Sequence, residues 1–168
     1  MQRRTLLNLG LFSGATLALA GGGAALFYEP GWRFGRLTEA GRGVLGPVAR
    51  AVLDGSLPAD ATQAALTAHL DRVDATVHAM PPATQREVGN LLAVLALAPG
   101  RIALAGLTTD WERASVAKIQ SALQSMRTSR ISLRRQAYQA LRDLTHAAYF
   151  SSNANWAQLG YPGPVKTE

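Results

Sequence analysis

Apolar residues recur along this chain at intervals of three and four, the spacing that lines one face of an α-helix. The clearest run is Leu66, His69, Leu70, Val73, Val77 and Met80. It predicts a helix from Ala59 to Met80, opened by Pro58 and stopped by Pro81 and Pro82. Upstream, Val44, Leu45, Val48 and Val52 form the stripe of a helix over 38–54, with Thr38 as N-cap and Gly55 as terminator. Gly41, Gly43, Gly46 and Pro47 weaken that helix, so it must lean on tertiary contacts. After the proline pair, Thr84-Gln85-Arg86-Glu87 reads as a capping box, whose Thr and Glu side chains satisfy backbone N–H groups reciprocally. The helix it starts runs through "NLLAVLALA", apolar nearly all round, and is expected at the centre. Pro99-Gly100 marks a turn, and Arg101 to Leu107 a short helix. Thr109-Asp110-Trp111-Glu112 repeats the capping signature ahead of a helix over 110–126, with Val116, Ile119, Leu123 and Met126 inward. Ser129 begins the last long helix, to Phe150, with Leu133, Ala137, Leu141, Leu144 and Ala148 inward. No stretch alternates apolar and polar residues for the length of a strand.

The expected fold is therefore all-α. Residues 1–28 are a signal or anchor helix, 29–37 a connector, 38–150 a compact bundle of five or six antiparallel helices, and 151–168 an extended aromatic, Gly/Pro-rich tail. The connector, "EPGWRFGRL", reads as irregular, with Pro30 and Gly31 breaking the preceding helix. Its rings, Trp32 and Phe34, either pack on the first helix of the bundle or sit with Arg33 and Arg36 at a membrane surface.

The first segment carries the sharpest local signal. Arg3-Arg4-Thr5-Leu6-Leu7 fits two arginines, a variable residue and two apolar residues, and resembles twin-arginine export signals, whose route carries folded proteins. Asn8 stands where such signals often carry lysine. From Thr5 to Tyr28 there is no charge. Two fates fit this stretch. Ala18-Leu19-Ala20 is a small-x-small cleavage pattern, placing a cut after Ala20. Left uncleaved, residues 5–28 are long enough to span a bilayer, with Arg3 and Arg4 kept cytoplasmic by the positive-inside tendency. Gly21, Gly22 and Gly23 weaken such a span. Either way the remaining domain is expected in the periplasm, free or tethered to the inner membrane.

Composition then narrows the chemistry. There is no cysteine among 168 residues, which excludes disulfides, thiolate metal sites, cysteine nucleophiles and Cys-x-x-Cys-His haem attachment. The formal charge is +6, falling to +4 (15 basic against 11 acidic) once Arg3 and Arg4 are set aside. Arg127, Arg130, Arg134 and Arg135 make the one dense basic stretch. It lacks interleaved stacking aromatics, so a solvated or partner-facing helix is expected there and no nucleic acid. His69 and His78 lie nine residues apart on one helix, roughly 13 Å along its axis, too far to share a metal. Asp74 and His78 are spaced to pair on the surface. "GGGAALF" follows no strand and is not a dinucleotide fingerprint. Ser115, Ser121 and Ser125 have no placed His-Asp partner. No catalytic, cofactor-binding or metal-ligating residue is expected in this chain.

The end of the chain stands apart. Tyr149, Phe150, Trp156 and Tyr161 supply four of the eleven aromatic residues within thirteen positions. Asn153 is placed to cap a single helical turn carrying Trp156 and Leu159, ended by Gly160, before Tyr161-Pro162-Gly163-Pro164 leaves extended. Two readings stay open together: aromatics on stiffened backbone suit a protein interface, and the same rings could cap the open end of the bundle. The partner-facing candidates are Tyr149, Phe150, Trp156, Leu159, Tyr161, Pro162 and Pro164.

With Arg3-Arg4 and the helical body, the close "AAYFSSNANWAQLGYPGP" resembles the gluconate 2-dehydrogenase subunit 3 group. These are small signal-bearing subunits that accompany FAD-dependent dehydrogenases of the glucose-methanol-choline type. The likeness is carried by Tyr149, Trp156, Leu159, Gly160, Tyr161, Pro162, Gly163 and Pro164. It implies a non-catalytic escort that folds with a larger flavoprotein and leads it through the twin-arginine translocase. FAD would then belong to that partner, with a cytochrome subunit present in many relatives. The alternative is a membrane-tethered periplasmic helical interaction or binding module unrelated to any flavoprotein.

Overall fold

A computed structural model describes residues 28–58, 62–156 and 160. The readings at Arg3, Arg4, Leu6, Leu7, Ala18, Ala20, Leu159, Tyr161, Pro162, Gly163 and Pro164 lie outside the described residues, as do positions 59–61 of the second predicted helix.

The described chain is mostly helical. It opens with a two-residue hairpin, β1 (Trp32–Arg33) and β2 (Arg36–Leu37), and six helices follow. These are α1 (Glu39–Val52), α2 (Thr62–His78), α3 (Pro82–Ala96), α4 (Ala98–Ala105), α5 (Val116–Arg127) and α6 (Ser132–Phe150). Short 3-10 turns stand at Trp111–Arg113 and Asn153–Asn155. One apolar core joins all six helices, from Val44, Leu45 and Val48 through Val73, Val77, Leu92 and Leu95 to Ile119, Met126 and Leu141. The stripes read from three-and-four spacing face this core, with Val52, Met80, Val116 and Leu133 at its edge. No single helix among the described residues is long and apolar enough to cross a membrane; α3 and α4 together are bent by 96°.

Several local expectations are corrected. The connector is not wholly irregular: Trp32 pairs with Leu37 and Arg33 with Arg36, across a turn in which Phe34 and Gly35 both take positive φ (52° and 78°). Two residues per strand are too few for alternation to register. The two rings also part company. Trp32 is buried and its indole N–H donates to Gln85 Oε1 at 3.2 Å, whereas Phe34 is 86% exposed beneath the Arg33 guanidinium.

The capping box at Thr84 does not form. The α3 helix starts at Pro82, whose fixed φ and missing N–H suit the first turn, so Thr84 and Glu87 lie inside it. Gln85 instead turns back to donate to the carbonyls of His78 (3.0 Å) and Met80 (2.9 Å), closing the end of α2. Pro99-Gly100 is likewise no turn; both lie within α4, which ends on Gly106 at φ 70°. The helix expected over 110–126 breaks after a single 3-10 turn, and α5 begins afresh with Ser115 Oγ accepting from Lys118 N–H. The break follows from burial of Trp111, whose indole N–H donates to Leu95 O at 2.8 Å. Ser129 precedes α6 by three residues and only braces the turn, accepting from Ile131 N–H.

Candidate functional site: the closed end of the last helix

An α-helix ends with carbonyls that have no intrahelical donor, and these must find partners elsewhere. At the end of α6 side chains supply them. Ala148 O accepts from Ser151 Oγ at 2.9 Å and from Arg72 Nε, reaching across from α2, at 3.0 Å. Asn155 Nδ2 donates to Tyr149 O at 2.6 Å, and the Trp156 indole N–H donates to Phe150 O at 2.9 Å. The stretch "YFSSNANW" is thus a side-chain cap folded back on its own helix. Asn153 does not cap the following turn; it lies inside the 3-10 segment, and Ser152 stands before it without a side-chain bond.

The aromatic residues divide their work. Tyr149 is buried and donates its hydroxyl to Ser56 O at 3.3 Å, tying α6 to the loop after α1. Trp156 is half-buried over the helix end. Phe150 is 46% exposed and stands edge-on between Tyr149 and His146, with centroids 5.5 and 5.8 Å away. Of the predicted partner-facing residues that are described, the structure brings Tyr149, Phe150 and Trp156 together and leaves Phe150 the most open. Replacing Asn155 with alanine removes the shorter of the two bonds shown at the Tyr149 carbonyl and leaves the Ser152 N–H at 3.4 Å. A loss of about 1 kcal/mol in urea denaturation is expected, with no change in helix content.

Elsewhere polar groups are committed to structure. Asp74 does not pair with His78. Its carboxylate takes Arg42 at 2.6 Å and the Leu37 N–H at 2.7 Å, binding the hairpin and α1 to α2. Within the basic stretch, Arg134 donates to Leu104 O and Ser125 Oγ, and Arg135 to Ser129 O. Arg101, although buried, reaches Asp110 at 2.8 Å and the carbonyls of Leu107 and Ala96. Sequence spacing missed each of these because the partners lie on other elements.

Of the histidines, His69 is fully buried, and neither ring nitrogen has a partner among the described residues. Burial, aided by the nearby Arg72 charge, holds its pKa at about 4. The His146 pKa is also lowered, first by burial and then by Arg142, against a small opposing pull from Asp143. Among the described residues no three His, Asp or Glu side chains converge as metal ligands. A groove of about 550 Å³ runs between α1, α2 and the start of α5, with Leu66, Leu70 and Ile119 along it and Arg42 and Arg50 at its side. A second hollow of about 310 Å³ is ringed by Glu29, Glu39, Asp110 and Glu112 around Arg101. Set against known proteins, the chain matches no family model, no curated protein and no solved structure.

Proposed function

We propose that this chain is a non-catalytic small subunit. It escorts a periplasmic FAD-dependent dehydrogenase of the glucose-methanol-choline type through the twin-arginine route and stabilises it afterwards. The observation that carries the reading is the junction of a paired-arginine address, Arg3-Arg4, with an aromatic close that begins at Tyr149. Support comes from the end of α6, where bonded carbonyls hold Phe150 outward on a rigid base. Preordered aromatic surface loses little entropy on docking and so favours protein partners. FAD and the reacting groups belong to the partner in this reading, and a cytochrome subunit is a further candidate member of the complex.

Changing Arg3 and Arg4 together to lysine tests the escort role. The dehydrogenase should then accumulate in the cytoplasm, with periplasmic activity reduced by on the order of tenfold or more, and the pair should still co-purify. Full periplasmic activity in that variant would remove the escort role. Recovery of the tagged chain from periplasm without a flavoprotein would remove the complex itself.

A second reading, a membrane-tethered periplasmic binding module, draws on the 550 Å³ groove. It expects an uncleaved N-terminus and no stoichiometric flavoprotein.

A further inference from the structure

Between Glu112 and Asp143 the chain has no carboxylate but seven cations: Arg113, Lys118, Arg127, Arg130, Arg134, Arg135 and Arg142. Six of the seven, all but Arg113 in the preceding 3-10 turn, lie on the α5–turn–α6 hairpin, so charges dispersed in sequence are gathered on one packed helix pair. All but Arg134 are exposed. Among the described residues the only ion pair any of them makes is Arg142 with Asp143, at 3.6 Å. The turn itself is braced. Arg135 Nη1 donates to Ser129 O at 2.6 Å, and Arg134 Nε donates to Leu104 O at 2.7 Å. On that braced tip, between Arg130 and Ser132, Ile131 is 59% exposed.

We propose that this tip docks on an anionic phospholipid surface, Ile131 entering the interfacial layer while Arg127, Arg130 and Arg135 meet headgroup phosphates. Each part has a physical reason. A guanidinium presents a planar fork of donors that matches phosphate oxygens, and its aliphatic stem tolerates the edge of the acyl region. A single exposed apolar side chain amid such cations adds burial to the electrostatic attraction. A protein interface, by contrast, wants an apolar centre. Around this tip the exposed positions are Arg127, Thr128, Arg130, Ser132 and Arg135, with Ile131 the one large apolar group. No aromatic ring lies within the turn to stack on a nucleobase. The choice of lipid rests on the export reading of residues 1–28, which puts the domain beside a membrane. The uncompensated charge of the hairpin does not rest on it.

The chain has no cysteine, so Ile131→Cys in the full chain gives a unique thiol for a polarity-sensitive fluorophore. The labelled protein is compared in vesicles of phosphatidylcholine and in vesicles also containing phosphatidylglycerol. A blue shift only with phosphatidylglycerol, reversed by high salt, is expected. Adding Arg127→Gln and Arg130→Gln should lower the docked-to-free ratio by on the order of tenfold, while circular dichroism stays unchanged. Among the described residues neither arginine side chain bonds a backbone group, Arg127 Nε donating to Gln124 Oε1 at 3.0 Å, so this variant separates docking from folding. Equal emission in both vesicle types overturns the proposal. A shift produced by an acidic protein or an oligonucleotide while vesicles stay silent overturns it as well. The localisation of the dehydrogenase reads the export role separately, so the two can fail independently.

Discussion

Gly41→Ala is expected to destabilise the domain by about 3 kcal/mol, although alanine is the better helix former. Gly41 lies in the first turn of α1, and a Cβ there would overlap the carbonyl oxygen of Gly31, a backbone atom with no rotamer to yield. That carbonyl accepts from Thr38 N–H at 3.1 Å, and the Gly31 N–H donates to Gly89 O at 2.8 Å. The segment around Gly31 is therefore threaded between α1 and α3, where a Cβ on Gly31 would in turn overlap that of Leu92. Pushing it aside breaks both bonds and lifts the buried Trp32. Gly43→Ala is the matched control, two residues along the same helix and clear of Pro47, whose ring disfavours a Cβ on the residue before it. Beyond the helix a Cβ there would first meet the end of the Glu112 side chain at 3.4 Å, an ordinary contact, so it should gain up to about 1 kcal/mol from helix propensity. Urea denaturation of the two variants reads the difference. Equal stabilities would mean that the seam is absent.

The second large effect is acid sensitivity through His69. Its folded pKa of about 4 lies below the ordinary 6.5, so the fold favours the neutral ring. Above the ordinary value neither state binds the proton, and this residue adds no pH dependence. As pH falls from there toward 4, the unfolded chain takes up a proton that the folded one refuses. Stability then drops by about 1.4 kcal/mol per unit, about 3 kcal/mol in all, and levels off below. His69→Leu removes that slope. It also removes two buried nitrogens that find no partner among the described residues, so the variant should be at least as stable as the parent at neutral pH. Denaturation curves at about pH 7.5 and about pH 4.5 test both points. A parent that loses no more stability than the variant on acidification would show that the ring is solvated or bonded.

The two effects differ in how far they could be foreseen. That His69 faces the core follows from its place in a run spaced by three and four. That it is alone there does not follow, because partners come from other helices. The glycines of α1 look alike in sequence, each a weak point in a helix. Only the path of Gly31 across the helix separates Gly41, which must lack a side chain, from Gly43, which need not.

The same division runs through the chain. Helical stripes and the proline stops around α2 are written locally, since side-chain periodicity and the missing N–H of proline act within a turn or two. The long core-facing runs of α2, α5 and α6 were legible for that reason. Starts of helices were less so. Thr84 and Thr109 have the right neighbours for caps, but Pro82 nucleates α3 sooner and burial of Trp111 interrupts the next helix. The end of α6 was half legible: its aromatics announce an interface or a cap, and it took the folded chain to give Trp156 and Asn155 to the carbonyls and leave Phe150 outside. By itself the sequence determined the helical class and the absence of cysteine chemistry, and it supplies the paired arginines on which the export proposal rests, all properties of nearby residues or of composition. The tertiary structure alone decided that Asp74 serves Arg42 and Leu37, that His69 is sealed without a partner among the described residues, and that the cations of residues 118–142 share one hairpin. Those outcomes depend on which distant segments meet, and a local pattern carries no term for that.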